Sequence, residues 1–518
     1  MYSKSIKGLL SCFVLYSKLA GNLLRLNLKP LTFFSLFMQY TQEQLVERNE
    51  KAFFETLEEL VVELKKRDNF VVVFHHDADG SASGAIAIKA LEREGKKVSS
   101  ICLKQLYKEN IPQIRALGEN YLFVDFGSGQ LDYLVEAFGE DFFVLDHHQP
   151  ILVNGVMPVC KWQVNPLLFG INGGTEISGS GLTFFFALAL NKNNFDLSVL
   201  GIVGALGDMQ DANPTCALIG MNRKILQIGI DNKLILVKKD LRLYGRISRP
   251  LVSFLTFSSS PVLPGLTANE DNVKAFLAEL DIPLRDSYTQ KWLTYNDLTF
   301  EQQRELTSAL LVLLLDNNTP EWKISELIGE VYTFLKENPS SPLCDGKEFS
   351  TMLNACSRNK HSEIALSVCK GDRNEGYSKA VALMDEHREN LRRGIEFIKQ
   401  RGIEEKSSFY FFDAGEVIDE SIVGVIAGML YGSIISETKP IIALARNKDG
   451  TTKASGRGTS ALVRRGLNIG GALKEISQII PGVEGGGHRV AAGAKIPTEK
   501  LDDVLNLLEE KFKEQLGL

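Results

Sequence analysis

The chain has 518 residues, 44% of them hydrophobic and 24% charged, with a net charge of −6. That length exceeds what one hydrophobic core can fill and predicts about two to four domains. The acidic balance excludes a broad basic surface, so a nucleic-acid partner would have to sit in a local groove. The seven cysteines, at 12, 102, 160, 216, 344, 356 and 369, form no C-x-x-C pair. This argues against a disulfide framework or a thiolate zinc site and for a reducing compartment, with the cytoplasm as the expected location.

Residues 1–37 carry five Lys/Arg and no Asp or Glu. Their apolar runs, "GLLSCFVLYS" and "LTFFSLFMQY", fall short of the ~18–20 residues needed to cross a bilayer. They are read as an unassigned extension, a signal peptide or membrane-surface helix being the alternative, and no membrane partner is expected. Residues 38–68 follow as an N-terminal segment, with a charged amphipathic helix over 43–67. "FVVVF" (70–74), "YLFVDF" (121–126) and "DFFVL" (141–145) are short continuous apolar runs, as in strands buried on both faces. The sequence "GSASGAIAIKALEREGKK" predicts a helix after the first. The run "LSVLGIVGALGDMQD" (197–211) is apolar up to Asp208 and is taken as a fourth unit of the same kind. The repeated order of strand, acidic loop and helix predicts an α/β layer with a mostly parallel sheet, over 69–255. Residues 256–372 read as a mainly helical insertion, and 373–403 as one long connecting helix. Residues 404–518 read as a second, smaller α/β lobe ending in the glycine-dense run "GLNIGGALKEISQIIPGVEGGGHRVAAGA".

Histidine usage is the sharpest chemical signal. Only 7 occur, yet two adjacent pairs stand at 75–76 and 147–148, each beside aspartate and each closing an apolar run. Random placement gives roughly a tenth of one such pair per chain. In an extended segment alternate residues share a side, so His75, Asp77 and Asp79 can converge. Asp125, Asp146, His147, His148 and Asp208 bring more carboxylate and imidazole to the carboxyl edge of the sheet, where ligands of such sheets bind. A single strand-end aspartate is ordinarily a helix cap; four clusters on one edge are better explained by metal. Carboxylate with some imidazole suits Mn²⁺ or Mg²⁺, and there are ligands enough for two ions, an arrangement suited to in-line attack on phosphorus. A histidine left over can hydrogen-bond the phosphate. Arg242, Arg246 and Arg249 either line the path of a strand or form a solvated basic segment.

"HHDADGSAS", "VDFGSG", "LDHHQP" and "GALGDMQD" resemble the four ordered motifs of the DHH phosphoesterase superfamily, within it most closely the archaeal RecJ-like single-strand exonucleases. "NPLLFGINGGTEISGSGLT", "YGRISRPLVSFL", "FSTMLNACSR" and "GGGHRVAAGA" extend the resemblance from about Asn69 to the C-terminus. It implies a DHH lobe with a helical insertion, a long connecting helix and a DHH-associated C-terminal lobe. It implies that His75, Asp77, Asp79, Asp125, His147 and Asp208 hold two Mn²⁺ or Mg²⁺ ions, with Asp125 bridging. By the same resemblance His148 contacts the scissile phosphate and Asp146 orients the histidine pair. Bacterial relatives have an acid where this chain has His75, which leaves the ligand set of one metal the less certain. Arg457, Gly485, Gly486, Gly487 and His488 match nucleotide-contacting elements, as successive glycines let backbone N–H groups approach a phosphate. The implied activity is removal of mononucleotides from an end of single-stranded DNA or RNA, in replication or repair. The alternatives are an oligoribonuclease or cyclic-dinucleotide phosphodiesterase of the same superfamily, and a replication scaffold with the GINS complex and replicative helicase as partners.

Overall fold

A computed structural model of the protein describes residues 48–518 other than Asn154, Gly155, Ser259 and Ser433. The extension at 1–37 and the first residues of the helix expected over 43–67 lie outside the described residues. Helix α1 (Glu50–Lys65) is capped by the Asn49 side chain and buries Phe53, Leu57, Leu60, Val61 and Leu64 on one stripe.

The first sheet is built from β1 (Asn69–His75), β2 (Lys97–Leu103), β3 (Tyr121–Val124), β4 (Phe142–Leu145) and β5 (Gln163–Val164). Its order is β2-β1-β3-β4-β5, and every pairing is parallel. Both faces are covered, as a parallel sheet requires. Side-chain alternation divides β1 between two cores: Phe70, Val72 and Phe74 join one, while Val71 and Val73 join the other with Leu131, Leu134 and Phe138 of α3 (Leu131–Phe138). Each such fully buried side chain contributes about 1.5–3 kcal/mol relative to exposure. The chain runs from β1 through α2 (Ala78–Arg93) to β2 on one side, then returns to lay β3 on the other. The strand order therefore reverses between β1 and β3, and the carboxyl ends of these two strands flank the crevice.

Helices α4 (Gly179–Leu190), α5 (Ser198–Gly207) and α6 (Gly220–Asp231) pack on the first core with α2. The apolar run before Asp208 is thus a helix and not a strand end. It is hydrophobic all round because it is buried, with Ser198, Leu200, Gly201, Ile202, Val203, Gly204, Ala205 and Leu206 all enclosed, so it shows neither a helical nor a strand period.

Strand β6 (Ile235–Leu241) pairs antiparallel with β7 (Ile328–Phe334), and the segment between them folds about its own core. That core is made by α7 (Leu251–Thr256), α8 (Glu270–Glu279) and α9 (Phe300–Asp316), with Tyr295 and Leu327. Helices α10 (Gly346–Arg358) and α11 (Ser362–Lys370) return to the first core through Phe349, Met352, Leu353, Cys356, Ala365 and Val368.

Helix α12 (Glu375–Arg401) has 27 residues and is roughly 40 Å long. Its Ala380 and Met384 sit in the first core, and its Ile398 in a core of the last lobe. That lobe carries a six-stranded sheet in the order β12-β13-β11-β10-β9-β8. Its strands are β8 (Glu404–Glu405), β9 (Tyr410–Asp413), β10 (Ile441–Arg446), β11 (Thr451–Arg457), β12 (Glu484–Gly487) and β13 (Ala491–Pro497). Helix α13 (Val423–Met429) covers one face, and α14 (Ile469–Ile479) and α15 (Leu501–Leu516) cover the other. Lys104 pairs with Glu420 at 3.3 Å and Lys323 with Glu437 at 2.5 Å, tying this lobe both to the first sheet and to the insertion. Among the described residues no helix is long and apolar enough to cross a membrane.

Candidate metal centre

Asp77 is the N-cap of α2. Its Oδ1 accepts from the Gly80 N–H at 2.9 Å, and its Oδ2 lies 3.0 Å from His75 Nδ1. One oxygen thus does the capping and the other faces the crevice. Asp79, two residues on, is fully buried and receives the Gly179 and Ser180 N–H groups at the start of α4, at 2.6 and 2.9 Å. The positive end of that helix helps to hold a carboxylate there. Asp125 follows β3 with a left-handed backbone (φ 64°), a conformation that costs about 1–3 kcal/mol for a non-glycine residue. Its two oxygens diverge: Oδ1 is 3.1 Å from His147 Nε2, and Oδ2 is 3.4 Å from His75 Nδ1. Asp208 caps the C-terminal end of α5 and puts Oδ2 3.5 Å from His147 Nε2, with Asp79 Oδ2 at 3.7 Å.

The structure thereby gathers all six predicted ligands into two triads, His75/Asp77/Asp125 and Asp79/His147/Asp208, with Asp125 reaching both. A further grouping joins Asp125, His147 and His148. Asp208 enters from a helix end, which the parallel-strand pattern did not anticipate.

The two histidines of the second pair are held differently. His147 donates Nδ1–H to the Gly173 carbonyl at 2.6 Å, which turns Nε2 toward the carboxylates. His148 Nδ1 bonds Asp146 at 2.8 Å and its side chain is 42% exposed. Asp146 also accepts the His148 and Ser128 N–H groups at 3.1 and 2.8 Å. Among the described residues Asp146 therefore orients His148 alone. His147 is set by Gly173, and this is where the geometry departs from the expected orientation of the pair.

The electrostatics are those of crowded acids. Burial and then Asp125 push Asp79 up to about 7, and burial and then Asp79 push Asp208 well above the carboxylate range. Burial opposes protonation of His147, yet Asp125, Asp208 and Asp79 hold its pKa well above the usual value. Burial likewise works against His148, and Asp146 overrides it upward. His75 Nδ1 and Asp125 Oδ2 are buried without a hydrogen-bond partner among the described residues, a costly state for polar atoms that a cation between them would relieve. Four carboxylates and two imidazoles fit a hard divalent cation, so the residues present suit the metal that the motifs implied.

Three elements at the crevice escaped sequence reasoning. His76 Nδ1 lies 3.2 Å from His75 Nε2 and fixes which nitrogen of His75 faces the acids. Arg358, the last residue of α10, has no carboxylate or hydrogen-bond partner among the described residues. It lies within electrostatic reach of both Asp77 and Arg457. The Asn354 side chain accepts from the Ala78 N–H at 3.0 Å and docks α10 there. The signal was present as "LNACSR", though nothing local distinguishes that arginine from a solvated one.

From the last lobe, His488 lies within electrostatic reach of the histidine pair: partial burial and then His148 and His147 lower its pKa. Arg457 ends β11, half-buried, and spends one nitrogen on the Gly456 carbonyl at 2.8 Å. Gly485, Gly486 and Gly487 form the edge strand β12 against Gly493 and its neighbours. Arg242 and Arg246 do not line a path: Asp211 takes the first at 2.6 Å and Asp240 the second at 2.6 Å.

Comparisons with known proteins agree with this architecture. Residues 243–328 match the family model of the DHH-CID domain, and residues 407–514 that of the DHHA1 domain. An uncharacterized protein of Methanocaldococcus jannaschii, MJ0831, is 29% identical over 456 residues, covering 86% of this chain and 93% of its own. Among solved structures, CDC45 from Entamoeba histolytica superposes with a TM-score of 0.63 at 14% identity, over 89% of this chain and 99% of its own. RecJ in complex with Mn²⁺ from Thermus thermophilus gives 0.54 at 17% identity, over 90% of this chain but 55% of that longer one. An exonuclease RecJ bound to manganese gives 0.52 at 16% identity, over 88% of this chain and 94% of its own.

Proposed function

This chain belongs to the DHH phosphoesterase superfamily and has a RecJ-like fold, and on that premise we propose that it is a metal-dependent exonuclease acting at an end of single-stranded DNA or RNA. The observation that carries the reading is Asp125, whose two oxygens serve two separate triads. His75, Asp77 and Asp125 would hold one Mn²⁺ or Mg²⁺, and Asp79, His147, Asp208 and Asp125 the other. Bound cations of this kind neutralise charge at phosphorus and lower the pKa of the attacking water.

The chain's own groups do the rest. Asp146 holds the His148 imidazole by Nδ1 and raises its pKa against burial, and among the described residues its Nε2 edge is left to donate to a phosphate oxygen. Asp79 is locked by two backbone N–H groups and His147 by the Gly173 carbonyl, so neither needs to reorganise when substrate arrives. Arg457, the β12 glycines and His488 would grip the terminal nucleotides from the opposite lobe, with Arg358 between the two.

The test is digestion of end-labelled single strands, DNA and RNA, with Mn²⁺ and with Mg²⁺, beside an Asp77→Ala control. Release of mononucleotides by the wild type alone is expected. Intact strands in both samples would remove the reading. A preference for a dinucleotide over a twenty-mer would instead favour the oligoribonuclease alternative. A scaffold that engages the GINS complex and a helicase is the second reading. It is supported by the insertion's having its own core, separate from the metal centre. Pull-down by the GINS complex, with no hydrolysis, would favour it.

A further inference from the structure

Three arginines follow β6, and the structure separates their fates. Arg242 and Arg246 are neutralised by Asp211 and Asp240. Arg249 is not: among the described residues its guanidinium has no carboxylate and no hydrogen-bond acceptor. It lies instead over the ring of Tyr244, 4.7 Å from the centroid, and 5.8 Å from that of Phe257. Its aliphatic stem packs on Gly245, whose φ of +98° and lack of a side chain make room for it; a Cβ there would stand 2.6 Å from Arg249 Cγ. The guanidinium is therefore held in place before any anion arrives.

A second cation shares the same ring. Arg388, on α12, lies over Tyr244 at 5.7 Å and donates to the Tyr244 hydroxyl at 3.1 Å and to Ser248 Oγ at 2.5 Å. Its Nε is buried with no partner among the described residues. Its acidic neighbours compensate weakly. Asp385 at 3.2 Å is largely exposed, and Glu348 at 4.0 Å is already taken by the Ile247 and Ser248 N–H groups. The residue before Arg388 is His387, which both Arg388 and Arg358 influence, and Arg358 in turn neighbours Asp77 and Arg457. Arg358 and Arg388 thus both lie within electrostatic reach of His387, and Arg388 within reach of Arg249.

We propose that Arg249 and Arg388, gathered on the Tyr244 ring, form a phosphodiester subsite for the bound strand, outside the metal centre. The half-buried rings of Tyr244 and Phe257 beside two guanidiniums suit a nucleotide, with the phosphate on the cations and a base against an aromatic ring. The subsite rests on the nuclease reading above and extends it: it makes length of strand, beyond the terminal nucleotides, a determinant of binding.

The experiment compares wild type with Arg249→Gln, Arg388→Gln and Arg249→Lys on a dinucleotide and on a twenty-mer. Binding of a fluorescein-labelled twenty-mer is followed in parallel by anisotropy across a salt series, in EDTA. For either Gln variant kcat/KM on the twenty-mer should fall about tenfold further than on the dinucleotide, and the log–log salt slope should drop by about one. Arg249→Lys keeps the charge and should retain the salt slope. Equal losses on both substrates would mark a structural role and overturn the subsite, as would unchanged twenty-mer kinetics. If the wild type cuts normally and only the subsite prediction fails, the nuclease reading stands. If the wild type neither cuts nor binds any strand, both fall.

Discussion

His147 aims Nε2 at Asp125 Oδ1, 3.1 Å away, because the Gly173 carbonyl holds its other nitrogen at 2.6 Å. Its neighbour His148 is tied to Asp146 instead, at 2.8 Å. Two adjacent imidazoles thus face different tasks, and substitution should separate them. His147→Ala is expected to lower Mn²⁺ affinity by about tenfold or more, since a ligand outranks the partners that orient it. His148→Ala should keep that affinity and reduce turnover by roughly 10²-fold, the lower range for loss of a proton-donating group. Calorimetric titration of Mn²⁺ beside strand hydrolysis reads both; equal loss of metal in the two variants would end the division of labour.

The acids crowd one another when no cation balances them. Burial and then Asp79 push the Asp208 pKa well above the carboxylate range. Divalent cation should therefore raise the melting temperature, by about 2.7 kcal/mol of stability at a hundredfold excess over Kd, and EDTA should reverse it. Asp208→Asn relieves the crowding in the metal-free protein, so its melting temperature in EDTA should equal or exceed that of the wild type. The rise on adding Mn²⁺ should shrink. A full Mn²⁺ shift in the variant would show that Asp208 is no ligand.

Close backbone packing leaves no room around the acids. A methyl on Gly204 would meet Ser180 Oγ and Asp79 Oδ1, and one on Gly179 would meet Asp125. Gly204→Ala should cost about 1–3 kcal/mol from overpacking and weaken metal binding by displacing Asp79. Gly428→Ala, on the exposed side of α13 with nothing within 4 Å, is the contrast. It should stabilise by about 0.5–1 kcal/mol through helix propensity. Denaturant melts of both variants give the comparison, and indifference of Gly204→Ala would mean that α5 shifts to accommodate the methyl.

Glu348 gives a pH dependence away from the metal centre. It is fully buried, and burial followed by Asp345 pushes its pKa up to about 7 from the usual 4.5. The fold thus prefers the protonated form. Its contribution is complete below the unfolded value and is lost as pH rises through about 7, worth roughly 3 kcal/mol. Glu348→Gln, which can still accept from the Ile247 or Ser248 N–H, should flatten stability between pH 4.5 and 7. A variant as pH-sensitive as the wild type over that window would place the titration elsewhere.

Much of the catalytic lobe could be read from residues alone, for a local reason. Strands β1, β3 and β4 are continuous apolar runs of Val, Phe, Leu and Tyr, and each ends in an acid or a histidine pair. Asp77, Asp79, Asp125 and His147 therefore announced themselves by place and by scarcity. Helix α12 was equally plain, since a long charged stretch without proline admits little else. Asp208 stands with the other expected ligands, but at a helix end and not a strand end. A buried Gly/Ala/Leu run has no polar face, and periodicity cannot then separate helix from strand.

The sequence by itself determined the chemistry: which acids and imidazoles are present, on which local frames, and that they suit a hard divalent cation. Only the tertiary structure decided how they divide. The turning of His147 by Gly173 joins residues 26 apart, and the docking of Asn354 on Ala78 joins residues 276 apart. The sparing of Arg249, when Asp211 and Asp240 neutralise its neighbours, depends likewise on which carboxylates the packed elements bring within reach. A period of 2 or 3.6 residues reports a face and nothing about what that face will meet. Which buried polar atom finds a partner, and which is left open for a ligand, is settled only when distant elements pack together.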